Sequence, residues 1–197
     1  MKVKQIAITG GIGSGKTEVL NILNERGYHT ISCDKITYDL YLEQSFLLAL
    51  KELFPFAVHG SPLVADKKAI SKEVFSNKQS LEKLNNLVHP IILERINQQI
   101  LGLKNIKDNL VFIEVPLLFE SGFNKYYKNV IIIKRDLEER INSIMARSNL
   151  TKEEIESRIN TQVNYESLPL NNYLVLENNG TKEDLTLNIT KILNNLI

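Results

Sequence analysis

The sequence predicts an α/β fold: a parallel sheet of five strands flanked by helices, with a helical insertion after the second strand and a helical pair before the last. Three observations carry that expectation. A glycine-rich phosphate-binding loop joins the first apolar run to the first helix, and four further short apolar runs follow along the chain. Between the second and third runs lies a stretch far longer than an ordinary βαβ crossover.

Residues 3–9 carry Val3, Ile6, Ala7 and Ile8 in a compact run that suits a buried parallel strand. Gly10-Gly11-Ile12-Gly13-Ser14-Gly15-Lys16-Thr17 follows and meets the full pattern of Gly, four free positions, then Gly-Lys-Ser/Thr. Its glycines lack Cβ, so the backbone from Gly11 to Gly15 can turn its N–H groups inward around phosphate oxygens. Lys16 supplies a point charge at the β- and γ-phosphates. Thr17 offers a hydroxyl to Mg²⁺, and the helix beginning there adds the positive end of its dipole to the same site. That helix, over 17–26, gathers Val19, Leu20, Ile22 and Leu23 on one side and stops at Gly27. Binding of a nucleoside triphosphate is the working premise.

Residues 28–32 read as the second strand, which delivers Cys33 and Asp34 at its carboxyl end. Ligands of open parallel sheets bind at that edge. Asp34 reads either as a catalytic acid or as the N-cap of the helix that follows. The apolar spacing of Ile36, Leu40, Leu47 and Leu50 predicts one helix over 35–54, ended by Pro55. Gly60, Ser61 and Pro62 mark a turn-rich connection over 56–62, and helices are predicted over 67–75 and 79–103. No strand is evident between Ser32 and Leu110, so the stretch reads as an inserted helical subdomain able to hold a second substrate. Within it, His89-Pro90 reads as a helix break with a surface histidine.

Leu110-Val111-Phe112-Ile113 forms the third strand and ends at Glu114, either a charged strand terminus or an acid of a Mg²⁺ site. Pro116-Leu117-Leu118-Phe119-Glu120 turns the chain away, and 129–134 makes the fourth strand. Asp136 with Glu139 predicts a capping box for a helix carrying Arg140 and Arg147. Thr151 with Glu154 predicts the same for a helix carrying Arg158 and Gln162, after a bend at Ser148-Asn149-Leu150. A phosphotransferase lid lies in such a place, its arginines closing over the transferring group. The mixed charges fit a solvated, salt-bridged hairpin equally well. A fifth strand over 173–177, a turn at Asn178-Asn179-Gly180 and a closing helix over 181–196 complete the chain.

The 197 residues suit one compact α/β domain, or a domain with a small insertion. A hydrophobic content of 43% with 24% charged residues is that of a soluble globular chain. The formal charge of +1 gives no global attraction to nucleic acid or membrane, so neither is expected as a partner. Cys33 is the single cysteine and cannot form an internal disulfide, which fits a reducing, cytoplasmic home. No apolar segment of signal or transmembrane length precedes the first strand.

With these pieces placed, the sequence resembles the dephospho-CoA kinases, which carry out the last step of coenzyme A biosynthesis. The resemblance runs along nearly the whole chain. It rests on Thr9 to Lys16, Asp34, His89-Pro90, Pro116 to Glu120, Arg140, Arg147, Arg158 with Gln162, and Asn178-Asn179-Gly180, in that order and spacing. It implies a P-loop kinase fold with a nucleotide-binding core over 1–34, 104–135 and 164–197, a helical acceptor subdomain for CoA over 35–103, and a lid over 136–163. It also implies transfer of the γ-phosphate of ATP, with Mg²⁺, to the 3′-hydroxyl of the ribose of dephospho-CoA.

By that resemblance Asp34 would stand beside the acceptor hydroxyl as general base or orienting group, while Lys16 and Arg140 would stabilise charge on the transferring group. Thr17 and Glu114 would hold Mg²⁺. Arg147 would belong to the lid over ATP, and Asn178 and Gly180 would lie near the adenine. His89, Pro116, Leu117 and Arg158 would join Asp34 on the acceptor side. The chain departs from the family's usual pattern at Ser32, where an acid is common, at Glu114 and Glu177, where Asp is common, and at Ser148, where Arg-Asp is the usual pair.

A nucleoside or nucleotide kinase of the same fold is the rival enzymatic reading. A nucleotide-dependent switch fits less well, because Asn124-Lys125 is followed by Tyr126-Tyr127 with no Asp for guanine and no Asp-x-x-Gly is present. The sequence does not specify an oligomeric state.

Overall fold

The computed structural model describes residues 3–197; Met1 and Lys2, where the expected core begins, lie outside the described residues. The strands are β1 (Lys4–Thr9), β2 (His29–Ser32), the short β3 (Val58–His59) and β4 (Val64–Ala65), then β5 (Leu110–Glu114), β6 (Asn129–Lys134) and β7 (Leu174–Glu177). Five of them form one sheet in the order β2-β5-β1-β6-β7, and every pairing in it is parallel. The expected five-stranded parallel α/β architecture is therefore observed.

Parallel strands covered on both faces should be apolar throughout. Ile6, Ala7, Ile8 and Thr9 of β1 are all buried, as are Val130 to Ile133 of β6. On one face Ile6, Ile8, Phe112, Ile131 and Ile133 meet Val19 and Leu23 of α1 (Lys16–Glu25) and Leu185, Ile189 and Leu193 of α8 (Lys182–Leu196). Thr181 and Asp184 cap α8 reciprocally.

The chain divides into two compact units, one reaching Ser32 and resuming over Lys104–Ile197, the other Cys33–Leu103. In the second unit the single helix expected over 35–54 is two helices, α2 (Cys33–Leu40) and α3 (Gln44–Leu53). The reason is local hydrogen bonding. Leu42 N–H donates to Asp39 O and Glu43 N–H to Leu40 O, a tightened i→i−3 turn that closes α2, and Glu43 is extended at φ −92°, ψ 123°. Arg95 then fixes the Glu43 carboxylate at 2.6 Å. Apolar spacing runs unbroken across this corner, so it could not reveal it.

The strand-free expectation also needs correction, because Val58 pairs with Ala65 and His59 with Val64 in the small antiparallel ladder of β3 and β4. Beyond α4 (Lys67–Ser76), α5 (Lys78–Gly102) runs through Pro90 without a break, and His89 is 6% exposed rather than a surface residue. Pro90 lacks the N–H that would meet the carbonyl of Asn86, but both residues face solvent, where water can serve that carbonyl. Val88, Ile92, Ile96 and Ile100 are buried and hold the helix together on its other face.

The helical pair consists of α6 (Leu137–Met145) and α7 (Lys152–Asn160), packed through Ile141, Ile144 and Ile155. Thr151 and Glu154 cap α7 as expected. The capping box expected at Asp136 and Glu139 does not form. Asp136 is engaged elsewhere: its Oδ1 accepts from Asn179 Nδ2 at 2.9 Å and its N–H donates to Asn179 Oδ1 at 2.8 Å, while Glu139 pairs with Arg135 at 3.2 Å.

Candidate active site

The phosphate loop leaves β1 at its carboxyl end and enters α1 through Gly13 at φ 80° and Gly15 at φ 92°, conformations open to glycine and costly for other residues. Close approach fixes Gly13 independently, since a Cβ there would lie 2.7 Å from the carbonyl oxygen of Arg140. Lys16 Nζ donates to Gly10 O at 2.7 Å and to Gly11 O at 3.2 Å, which holds its charge over the loop. Thr17, in the first turn of α1, is exposed.

Arg140 on α6 reaches across to the same loop. Its Nε donates to Ile12 O at 2.9 Å, and a Cβ on Gly11 would run into its guanidinium. Burial pushes the Arg140 pKa below its ordinary value; the group nonetheless stays charged at neutral pH. Gln162 reaches the loop from the segment that follows α7: its Oε1 accepts from Ile12 N–H at 2.8 Å. Contrary to expectation, Gln162 is not on α7 but two residues beyond its last residue, Asn160.

A cavity of about 290 Å³ opens on the loop, lined by Gly13, Lys16, Thr17, Arg135 and Arg147 among others. Arg147, which the resemblance assigns to a lid over ATP, is among these residues, and so is Arg135, which no motif marks. Arg135 directly follows β6, so the rule that ligands bind beyond the carboxyl ends of parallel strands was a usable signal. Its Nη1 donates to Ser143 at 2.6 Å, which orients the guanidinium. A larger cavity of about 720 Å³ lies beyond the carboxyl ends of β6 and β7, walled by Arg135, Arg140, Gln162, Tyr165 and Glu177. Of the two, Lys16 and Thr17 line only the smaller.

Glu114 ends β5 in register with Ile8 on one side and Ser32 on the other. Ser32 Oγ donates to its carboxylate at 3.0 Å. Ser32 thus orients the acid one strand away. Asp34, two residues past Ser32, is exposed and lies inside the first turn of α2, so it is not the N-cap of that helix.

Leu117 holds φ 53°, a sparsely populated conformation for a branched side chain and of the kind retained at ligand sites. Neighbouring Pro116 is half-buried. Arg158 is exposed near the end of α7. Asn178 is buried and donates to Ser14 O at 2.8 Å, behind the loop. Gly180 has a separate reason to be glycine: a Cβ there would come within 2.6 Å of Asp184 Oδ2, part of the α8 cap.

Tyr165 was not legible in the sequence. It is buried, its hydroxyl lies 3.4 Å from Thr9 Oγ1, and burial pushes its pKa up to about 12 against a pull downward from the Thr9 hydrogen bond.

A sequence model of the family described as CoaE, dephospho-CoA kinase, matches residues 4–184. The chain belongs to the dephospho-CoA kinase family. A dephospho-CoA kinase of Thermus thermophilus is 37% identical over 180 residues, covering 91% of this chain and 85% of the relative. That of Fusobacterium nucleatum is 33% identical over 186 residues, 94% of each chain. Among solved structures, the Thermus thermophilus protein TT1252 matches over 100% of both chains at a TM-score of 0.84 and 34% identity. The Campylobacter jejuni dephospho-CoA kinase matches at 0.66 and 29%, over 100% of this chain and 98% of the other. The fold is that of the P-loop kinases, and among the described residues no helix is long and apolar enough to cross a membrane.

Proposed function

We propose a division of labour among these residues for the reaction of the family, ATP-dependent phosphorylation of the 3′-hydroxyl of the ribose of dephospho-CoA, which yields coenzyme A and ADP. The observation that supports it most strongly is a complete phosphate loop whose Ile12 peptide is grasped by a guanidinium from α6. The enzyme is a kinase, and ATP is its phosphoryl donor. The loop N–H groups and Lys16 bind the β- and γ-phosphates, and Arg140 with Arg147 meets the charge that spreads over the transferring group. Asp34 accepts the proton of the 3′-hydroxyl as that oxygen attacks the γ-phosphorus and the bond to the ADP oxygen breaks.

Mg²⁺ fits the donors available. Thr17 presents an exposed hydroxyl, and Glu114 a carboxylate oriented by Ser32; both are hard oxygen donors, and Mg²⁺ takes one or two such groups together with phosphates and water. The chemistry it supplies there is neutralisation of charge on the phosphate oxygens.

Residues 35–103, with His89, would hold the acceptor together with Pro116, Leu117 and Arg158. Residues 136–163 would act as a lid, the 1–34, 104–135 and 164–197 segments as the nucleotide core, and Asn178 with Gly180 would border the adenine. A cytoplasmic setting belongs to the same reading.

ADP release from MgATP, measured with dephospho-CoA, AMP, adenosine or no acceptor and with the product mass checked, tests the function. Turnover confined to dephospho-CoA, with CoA as product, is expected. Transfer to AMP or adenosine instead would overturn the acceptor.

A further inference from the structure

The segment that follows α7 is tied to the nucleotide core at three successive points. Gln162 Oε1 accepts from Ile12 N–H at 2.8 Å, Val163 N–H donates to Glu120 Oε1 at 2.9 Å, and the Tyr165 hydroxyl lies 3.4 Å from Thr9 Oγ1. Gln162 N–H also donates to Ile159 O, so its backbone is anchored to the end of α7. Phe119 packs edge-on against Tyr165 with ring centroids 6.1 Å apart. The strap is thus fixed before it touches the loop.

At the loop, both polar groups of Ile12 are taken by side chains distant in sequence: its N–H by Gln162 and its C=O by Arg140 Nε. A Cβ on Gly11 would meet the Arg140 guanidinium and come within 3.3 Å of Gln162 Oε1, so a side chain there would push this pair aside. Ile12 immediately precedes Gly13, which holds φ 80°.

We propose that Gln162 is a positioning residue for phosphoryl transfer. Its carboxamide oxygen sets the orientation of the Ile12 peptide, and with it the inward turn of the N–H groups from Gly13 onward, so that the donors are aimed before ATP arrives. Pre-aimed donors favour the charge of the transition state more than that of the ground state, so the effect falls chiefly on turnover. Gln162 acts through Ile12, not by touching substrate. The inference rests on the kinase reading above.

The test compares Gln162→Leu, which removes the acceptor oxygen at nearly constant size, with Gln162→Glu, which keeps an oxygen for the Ile12 N–H. Steady-state kinetics, hydrogen exchange of the Ile12 amide by NMR, and thermal melting are measured on each. For Gln162→Leu, kcat should fall about tenfold or more, as expected for a half-buried N–H left without its acceptor, with KM for dephospho-CoA within about twofold of the parent. Exchange at Ile12 should speed up by about tenfold, with a fall in melting temperature no larger than the loss of one hydrogen bond gives, and Gln162→Glu should recover part of the losses in turnover and protection. Wild-type turnover and Ile12 protection in Gln162→Leu would overturn the inference, as would a Gln162→Glu protein no better than Gln162→Leu. Should the parent fail to phosphorylate dephospho-CoA, the kinase reading falls while the Ile12 exchange data still decide whether Gln162 holds the loop.

Discussion

Asn178 donates its side-chain amide to the backbone carbonyl of Ser14 at 2.8 Å, and both residues are buried. The contact joins the end of the last strand to the middle of the phosphate loop. Asn178 is itself fixed, because its N–H donates to Lys134 O and extends the pairing of β6 with β7. Gly15 completes the arrangement, since any Cβ there would collide with the Asn178 amide.

Replacing Asn178 with Ala leaves the Ser14 carbonyl buried without this donor, a loss of about 1–3 kcal/mol. Denaturant unfolding should report a drop of that size, and titration with a non-hydrolysable ATP analogue should show weakened binding. Undiminished ATP affinity would mean that the loop keeps its shape without this support.

Arg140 holds Ile12 O from α6, and in the role proposed for it the charge it would meet grows as the phosphoryl group leaves ADP. In Arg140→Ala, kcat should fall by about a hundredfold while KM for ATP rises much less. Lys16→Ala, which removes the point charge at the loop itself, should abolish most transfer. Matched losses in binding and turnover for Arg140→Ala would assign it to ground-state binding.

Tyr165 gives a pH dependence whose sign is fixed by its shift. Its pKa is raised from 10.0 to about 12 by burial, so the unfolded chain releases this proton first as pH rises. Its contribution is intact below pH 10 and is lost between about pH 10 and 12, at up to about 1.4 kcal/mol per pH unit. Tyr165→Phe should therefore flatten, in part, the decline of unfolding free energy over that window. Part of the slope should remain, because Tyr28 and Tyr41 are shifted upward as well. An unchanged slope in Tyr165→Phe would show that Tyr165 ionises with equal ease in both states.

Much of the fold was legible because its signals are local. The apolar run of β6 and the glycine spacing of the loop each determine a backbone by themselves, and the capping residues Thr151 and Glu154 lie within one turn of each other. What stayed hidden depends on tertiary partners. Asp136 carries a capping signature, yet Asn179, distant in sequence, takes its carboxylate. His89 beside Pro90 looks like a break, yet the buried face of α5 carries the helix through.

The site divides in the same way. Lys16 and Thr17 are announced by their motif, and Arg135 could have been found from its place at a strand end. The contact of Gln162 with Ile12 spans 150 residues, and Tyr165 meets Thr9 across 156, so no window along the chain contains either pair.

The role proposed for Asp34 is to act at the acceptor hydroxyl while the loop holds ATP independently of it. Single-turnover transfer to dephospho-CoA by Asp34→Asn, with ATP affinity titrated on the same sample, tests this most directly. Transfer should slow by about a hundredfold or more, the usual contribution of a general base, with ATP affinity close to that of the parent. Near-normal transfer by Asp34→Asn would contradict the assignment and leave the proton of the 3′-hydroxyl to another group.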